Sequence, residues 1–326
     1  MAPRALPLIV VPAEDEPAHG ILLRLSERNG IPIPGLVPSL TDLTPSRLRK
    51  GDGASRLASI LGCEVGAFMG STPVADGGDH LVVRGERLGR FCDFRASVRR
   101  LCPHCIAESA HQRFWFDLEF ITTCPKHAVE LISTCACGRP LSWNDVSVER
   151  CVRCTNRSVT SITPPSAIPD VIEMDRWALG RLNVGRRIDF PVLDRIPLKQ
   201  AIDIIGQIGA LAIGGYQEHW VETSSLDCPE VEVRARGFQI LKYETLDDVL
   251  DDIYHQFKIS GHRSIVALHT AYGWYGHWFT FLRPENYPRE ISDVVLSNAE
   301  RKFVVRRKAR WLLPYNSHAA STTLTY

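Results

Sequence analysis

Cys102-Pro103-His104-Cys105, Cys124-Pro125-Lys126-His127, Cys135-Ala136-Cys137 and Cys151-Val152-Arg153-Cys154 fall within one stretch of the chain. Four close ligand pairs in so short a span point to metal. Zinc takes Cys thiolate and His imidazole in a tetrahedron, and a structural site fills all four positions with protein ligands. Taken in order, Cys102, Cys105, Cys124 and His127 make a site spanning 102–127, and Cys135, Cys137, Cys151 and Cys154 make one spanning 135–154. The sequence therefore predicts two structural Zn2+ per chain. Sequential pairing closes the shorter loops, which costs less entropy, but a cross-braced pairing of alternate pairs stays open. His104 and His111 fall outside the paired spacing and are read as non-ligands. Gly138 gives the tight Cys135–Cys137 turn its freedom.

Seven of the ten cysteines lie in these pairs. With no secretory signal, that clustering favours metal over disulfides in a reducing compartment. Cys63, Cys92 and Cys228 stand alone and read as buried thiols. A cytoplasmic location is expected, and no apolar run is long enough for a membrane span. The chain has 326 residues and a formal net charge of +1, so any nucleic-acid contact must come from local basic patches rather than an overall pull.

Outward from the ligand pairs, the pattern is α-rich with small β content. An amphipathic helix is predicted over 17–30, ending at Asn29-Gly30, and a second from Leu48 to Leu61, ending at Gly62. Asp76-Gly77-Gly78-Asp79 is a turn signal. A helix is expected over 106–113 and a short strand over Phe114–Ile121, with Trp115 covering the metal core. The ligand pairs themselves suit two tandem zinc ribbon or finger modules. Pro164, Pro165 and Pro169 mark 161–170 as a linker between a domain at 1–160 and a helical C-terminal domain at 171–326. There Leu198, Ile202, Ile205, Ile208 and Leu211 form a helical stripe, and a helix over 245–257 opens at Thr245 with Asp247 and Asp248 in its first turn. The aromatic band over 264–282, with Tyr272, Trp274, Tyr275, Trp278 and Phe279, reads as core or as partner-facing.

The stretch Arg84–Arg100 is basic and leads into Cys102. It reads either as a solvated face with local ion pairs or as a phosphate-contacting patch beside the metal module. Candidate DNA contacts are Arg95, Arg99, Arg100, Lys126, Arg139, Arg150 and Arg153. The run Arg301–Arg310 adds Arg306, Arg307 and Arg310, either laid on nucleic acid or packed by its apolar side. Thiolates bring negative charge to the metal, so the arginines near them also have a local electrostatic reason to be there.

The motif Arg100-Leu101-Cys102-Pro103-His104-Cys105, Trp115, Cys124-Pro125-Lys126-His127 with Leu131, and Cys135-Ala136-Cys137-Gly138 resembles the TniQ family, the target-selection proteins of transposons of the TnsABC and Tni type, including TnsD. The helix His19–Gly30 is similar to the family's opening helix. It keeps Arg24 and Asn29-Gly30 and departs at the Ser-Trp positions, where Gly20 and Ile21 stand. The likeness covers roughly residues 8–160, and Tyr272-Gly273-Trp274-Tyr275 is similar to a family "YG" helix. The resemblance implies an adaptor that binds a DNA site, or an RNA-guided CRISPR effector complex, and recruits an AAA+ transposition regulator and through it the transposase. Homodimerisation is left open.

Two other readings compete. One is a zinc-stabilised protein–protein module, or a zinc-containing DNA-binding regulator, without the transposition role. The other is an enzyme. It would need an open zinc position or gathered acids for magnesium, and Asp247, Asp248, Asp251 and Asp252 are the nearest approach to such a group. Both metal sites look saturated by protein ligands, so no enzymatic activity is expected and no catalytic residue is assigned.

Overall fold

The computed structural model describes residues 8–31, 33, 43–89, 93–95, 97–154, 157–216, 226–259 and 287–302. The chain divides into two compact units. The first comprises residues 1–189 and 197–202, and the second 190–196 and 203–326. The fold is helix-rich with little strand.

The first unit opens on α1 (Ala18–Asn29), whose N-cap position is Pro17 and offers no side-chain acceptor. Thr72 Oγ1 supplies one from elsewhere, accepting Ala18 N–H at 2.9 Å. Gly30 adopts φ 64° at the other end, which lets Ile31 N–H reach back to the Ser26 carbonyl and closes the helix. Ile21, Leu22 and Leu25 are fully buried. Asn29 pins the preceding chain through paired hydrogen bonds with the Leu8 backbone.

The helix predicted over Leu48–Leu61 is two helices, α2 (Pro45–Leu48) and α3 (Ala54–Leu61). Gly51 and Gly53 lie between them at φ 79° and 84°. That backbone belongs to glycine and breaks the apolar periodicity into two segments. After α4 (Gly66–Met69), strands β1 (Val74–Ala75), β2 (His80–Val83) and β3 (Glu86–Gly89) form an antiparallel sheet in that order. The Asp76–Asp79 turn joins β1 to β2, as its glycines suggest.

In the metal-binding stretch the expected helix over 106–113 begins and ends earlier, as α5 (Pro103–Glu108). Pro103 starts it, because its fixed φ and missing N–H suit the first helical position. The strand expected over Phe114–Ile121 opens instead as a 3-10 turn, Phe114–Asp117, with all four residues buried. The aromatic residues here serve interior packing, with Trp115 and Phe116 edge to face at 4.3 Å, and the extended part of the expected strand is an antiparallel bridge of Leu118 with Phe94. β4 (Thr123–Cys124) and β5 (Val129–Glu130) form a small hairpin.

The expected linker is part of the first unit. Glu130 N–H donates to the Pro165 carbonyl and Ala167 N–H to the Ala128 carbonyl, so residues 165–167 add to the β5 edge. The prolines there serve an extended edge segment that donates few hydrogen bonds. Helix α6 (Pro169–Arg181) follows and packs on β4.

The second unit holds α7 (Pro191–Asp194), most of α8 (Leu198–Gly214), α9 (Glu230–Lys242), α10 (Leu246–Ile259) and α11 (Arg289–Lys302). The predicted stripe Leu198, Ile202, Ile205, Ile208 and Leu211 is buried along α8. α10 begins one residue after Thr245 and keeps Asp247 and Asp248 in its first turn. α8 and α9 cross in backbone contact. A Cβ on Gly209 would lie 1.8 Å from the Val233 carbonyl oxygen, and one on Gly237 1.9 Å from that of Ile205.

Two of the acids raised as a magnesium site serve packing of α10 on α11. Asp247 and Asp251 accept from Asn298 Nδ2 and pair with Arg301 and Lys302. Cys63 and Cys228 are half-buried rather than buried. Cys63 follows the Gly62 cap of α3, where the chain turns at the surface. Cys92, the aromatic band over 264–282 and the basic residues beyond Lys302 lie outside the described residues. No helix among the described residues is long and apolar enough to cross a membrane.

Candidate metal centres

Four ligand atoms, from Cys102, Cys105, Cys124 and His127, lie within 4.8 Å of one another, and so do four from Cys135, Cys137, Cys151 and Cys154. Among the described residues these are the two groupings able to hold a metal ion. The sequential grouping is the one the fold builds. His104 is exposed and outside the cluster, and His111 is turned to the Ser109 hydroxyl and the Glu14 carbonyl.

Local structure explains the first cluster. Cys102 precedes α5 and Cys105 sits in its first turn, so a single helical turn aims both sulfurs the same way. Cys124 ends β4, and His127 lies in the tight turn to β5, where Ala128 takes φ 56°. His127 Nδ1 lies 3.4 Å from each of the three sulfurs, and Cys105 Sγ lies 3.5 Å from Cys124 Sγ. Tetrahedral zinc, with bonds of about 2.0–2.1 Å to nitrogen and about 2.3 Å to sulfur, implies edges of about 3.6 and 3.8 Å. The donor set and spacing fit. With Nδ1 turned to the sulfurs, His127 Nε2 is left to donate to Glu108 Oε1 at 3.0 Å. A carboxylate on the second imidazole nitrogen fixes the tautomer that presents Nδ1 as a ligand.

Crowding of the sulfurs also perturbs their thiols. Hydrogen bonds from Cys105 and Cys124 push the Cys102 thiol down, while its bond with Cys102 pushes Cys105 up and the same interaction raises Cys124 to about 11. Thiolates this close repel one another. A metal ion supplies the positive charge that lets all of them ionise.

The second cluster is looser and built from turns. Gly138 at φ 80° shapes the turn after Cys137, and Cys137 Sγ stands 3.8 Å from Cys151 Sγ. Cys154 N–H donates to Cys151 Sγ at 3.2 Å, the backbone-to-sulfur bond of a thiolate turn. Cys135 and Cys151 are buried and Cys137 and Cys154 half-buried.

Among the described residues, the predicted DNA contacts separate into three groups. Arg99 and Arg100 are interior residues, which corrects that expectation for both. Arg99 is fully buried, donates to Asp145 Oδ2 at 2.8 Å and to the Ser142 carbonyl at 2.9 Å, and has its pKa lowered by burial against the pull of Asp145. Arg100 donates to the Leu118 carbonyl and is lowered by burial to about 10. Arg95, Lys126 and Arg150 pair with Glu119, Glu108 and Glu27. Arg139 and Arg153 are exposed beside the second cluster, and among the described residues neither has an acidic partner. Arg306, Arg307 and Arg310 lie outside the described residues.

Three residues that hold the clusters carry no sequence signature. Glu108 orients His127. Asp145 Oδ2 accepts Ser142 N–H at 2.8 Å while Oδ1 accepts Val152 N–H at 3.3 Å, so it grips the Cys151–Cys154 knuckle as well as Arg99. Asp175, from α6, accepts from residues next to Cys124. Spacing identifies ligands because a metal demands it. An isolated buried carboxylate has no such period.

Beneath α1, the polar interior continues the same construction. His19 Nε2 bonds Asp117 Oδ2 at 2.7 Å, and Gln112 Nε2 joins Asp117 Oδ1 to the Arg100 carbonyl. Burial lowers the His19 pKa from its ordinary value, against the raising pull of Asp117. The His19 ring meets the Trp143 ring edge-on at 4.6 Å, and the Arg49 guanidinium lies over Trp143 at 4.4 Å. α1 thus rests on the frame that carries both clusters.

This is a helix-rich protein whose small β elements and turns frame two four-ligand Cys/His clusters able to hold metal. The family model of TniQ matches residues 7–131. That part of the chain, with α1 and the first cluster, is therefore similar to a TniQ domain. The match includes α1 and the whole first cluster and ends at Leu131, short of the second cluster and of the residue 160 reached by the likeness in the sequence. A search of the curated proteins finds no match.

Proposed function

We propose that this protein is a target-selection adaptor of a DNA transposition system. It engages target DNA or a targeting complex and recruits an AAA+ regulator and the transposase. The observation that carries this reading is the TniQ match over residues 7–131, which contains the complete first cluster of three cysteines and one histidine. Both clusters are read as structural zinc sites. Zinc bound by four protein ligands has no position left for a reacting water, so its binding energy serves folding. No catalytic residue is assigned. Arg139 and Arg153 are the exposed DNA-facing candidates without an acidic partner among the described residues, and Lys126 and Arg150 are exposed but paired with Glu108 and Glu27.

A second reading, a protein-binding module without direct DNA contact, is favoured by the burial of Arg99 and Arg100 and the acidic partners of Arg95, Lys126 and Arg150. Fluorescence anisotropy on duplex DNA at graded salt, paired with a pull-down of the AAA+ regulator, separates the two. The adaptor reading expects the regulator to be captured and DNA binding to weaken steeply with salt. Regulator capture without any duplex binding supports the second reading, and neither interaction contradicts both.

A further inference from the structure

Cys124 is flanked on both sides by contacts from one turn of α6. Asp175 is fully buried, and its Oδ2 accepts Thr122 N–H at 3.0 Å, Thr123 N–H at 2.8 Å and the Thr123 hydroxyl at 2.8 Å. The next residue, Arg176, donates to the Pro125 carbonyl at 3.3 Å. Two consecutive side chains therefore hold the backbone before and after a metal ligand. They come from beyond Leu131, where the TniQ match ends.

We propose that Asp175 is a positioning residue for the first metal site, and that α6 is the clamp that makes this site retain its ion. The physical case rests on where the backbone donors go. The strand β4 is only two residues long, and the amides of Thr122 and Thr123 at its start both donate to Asp175. A buried amide without an acceptor is costly, and a carboxylate is the strongest acceptor available to satisfy it. One oxygen collecting three donors also fixes direction. It sets the path of the chain into Cys124, and hence where Sγ stands relative to Cys105 and His127. The addition of residues 165–167 to the β5 edge brings α6 to this place. Glu108 positions the His127 end of the tetrahedron, and Asp175 positions the Cys124 end. The second cluster is held differently, by Asp145, which grips the knuckle from within the same loop.

The inference rests on reading the clusters as metal sites, and the experiment tells the two apart. The full chain is loaded with cobalt(II), whose visible spectrum differs between a three-sulfur, one-nitrogen site and a four-sulfur site. Release to a chromogenic chelator is then followed for wild type, Asp175→Ala, Asp175→Asn and Thr123→Val. The expected result is release from the three-sulfur, one-nitrogen site faster by about tenfold or more in Asp175→Ala, with smaller accelerations in the other two and unchanged release from the four-sulfur site. Should Asp175→Ala fail to fold, a site-selective acceleration in Asp175→Asn and Thr123→Val supports the proposal. Equal acceleration at both sites, or unchanged release in all folded variants, overturns it. A wild-type chain that takes up no cobalt overturns the metal reading itself, and this proposal with it.

Discussion

Arg99 Nη2 and Asp145 Oδ2 meet at 2.8 Å with neither side chain exposed, joining the segment that leads into the first cluster to the loop of the second. A buried guanidinium needs its partner, because an uncompensated charge in the interior is expensive. Asp145→Ala is expected to destabilise the first unit by about 3–5 kcal/mol, measured by urea unfolding of the metal-loaded protein. Asp145→Asn keeps an acceptor and should lose less. A loss below about 1 kcal/mol for the alanine variant, the range of an exposed pair, would show that the pair is not structural.

The two basic groups should behave differently toward DNA. Replacing Arg139 and Arg153 together by alanine is expected to leave the melting transition in place and reduce the slope of log K against log salt by about 2, since each phosphate contact contributes about 0.9. Arg99→Ala should lower the melting temperature. An unchanged salt slope in the double variant would remove these arginines from any DNA surface.

How much of this was readable beforehand follows from which interactions are periodic. The clustering of the eight Cys and His residues was legible because a tetrahedral site calls for pairs of close residues. The stripe of α8 was legible because burial on a helix repeats. Arg99 and Arg100 were misread because a basic run looks alike whether it meets phosphate or a buried carboxylate, and Asp145 lies far along the chain. The linker was misread because prolines at 164 and 165 mark extended chain, which is equally what a sheet edge uses. The single helix over Leu48–Leu61 was misread because Leu48 and Leu57 both face the interior, although a glycine turn separates them.

Acidity enters through Glu16, which is fully buried, accepts Arg24 Nη1 at 2.6 Å and is pushed by burial up to about 7 despite that partner. A carboxyl whose folded pKa lies above its ordinary value of 4.5 favours the folded state in its protonated form. Its stabilising contribution is complete below about pH 4.5 and is lost as pH rises through about 7. Glu16→Gln stays neutral and should gain on wild type by about 2 kcal/mol between pH 5 and pH 8, read from denaturant midpoints at the two values. Parallel pH profiles for the two proteins would contradict the assignment.

In the second unit, Gly209→Ala drives a methyl into the Val233 carbonyl at the crossing of α8 and α9. Overpacking of this kind, against backbone that cannot yield, is expected to cost about 3 kcal/mol. Thermal melting followed by circular dichroism measures it. A variant as stable as wild type would mean that the helices separate without penalty.

Two closed tetrahedral metal sites are proposed to carry the fold of the first unit. X-ray absorption at the zinc edge of freshly purified, reduced protein tests it most directly. The predicted result is two zinc ions per chain, with an average shell of about 3.5 sulfurs near 2.3 Å and about 0.5 nitrogen near 2.0 Å, as one site of three cysteines and a histidine and one site of four cysteines require. Absence of zinc, or a shell containing water oxygen in place of sulfur, would contradict it.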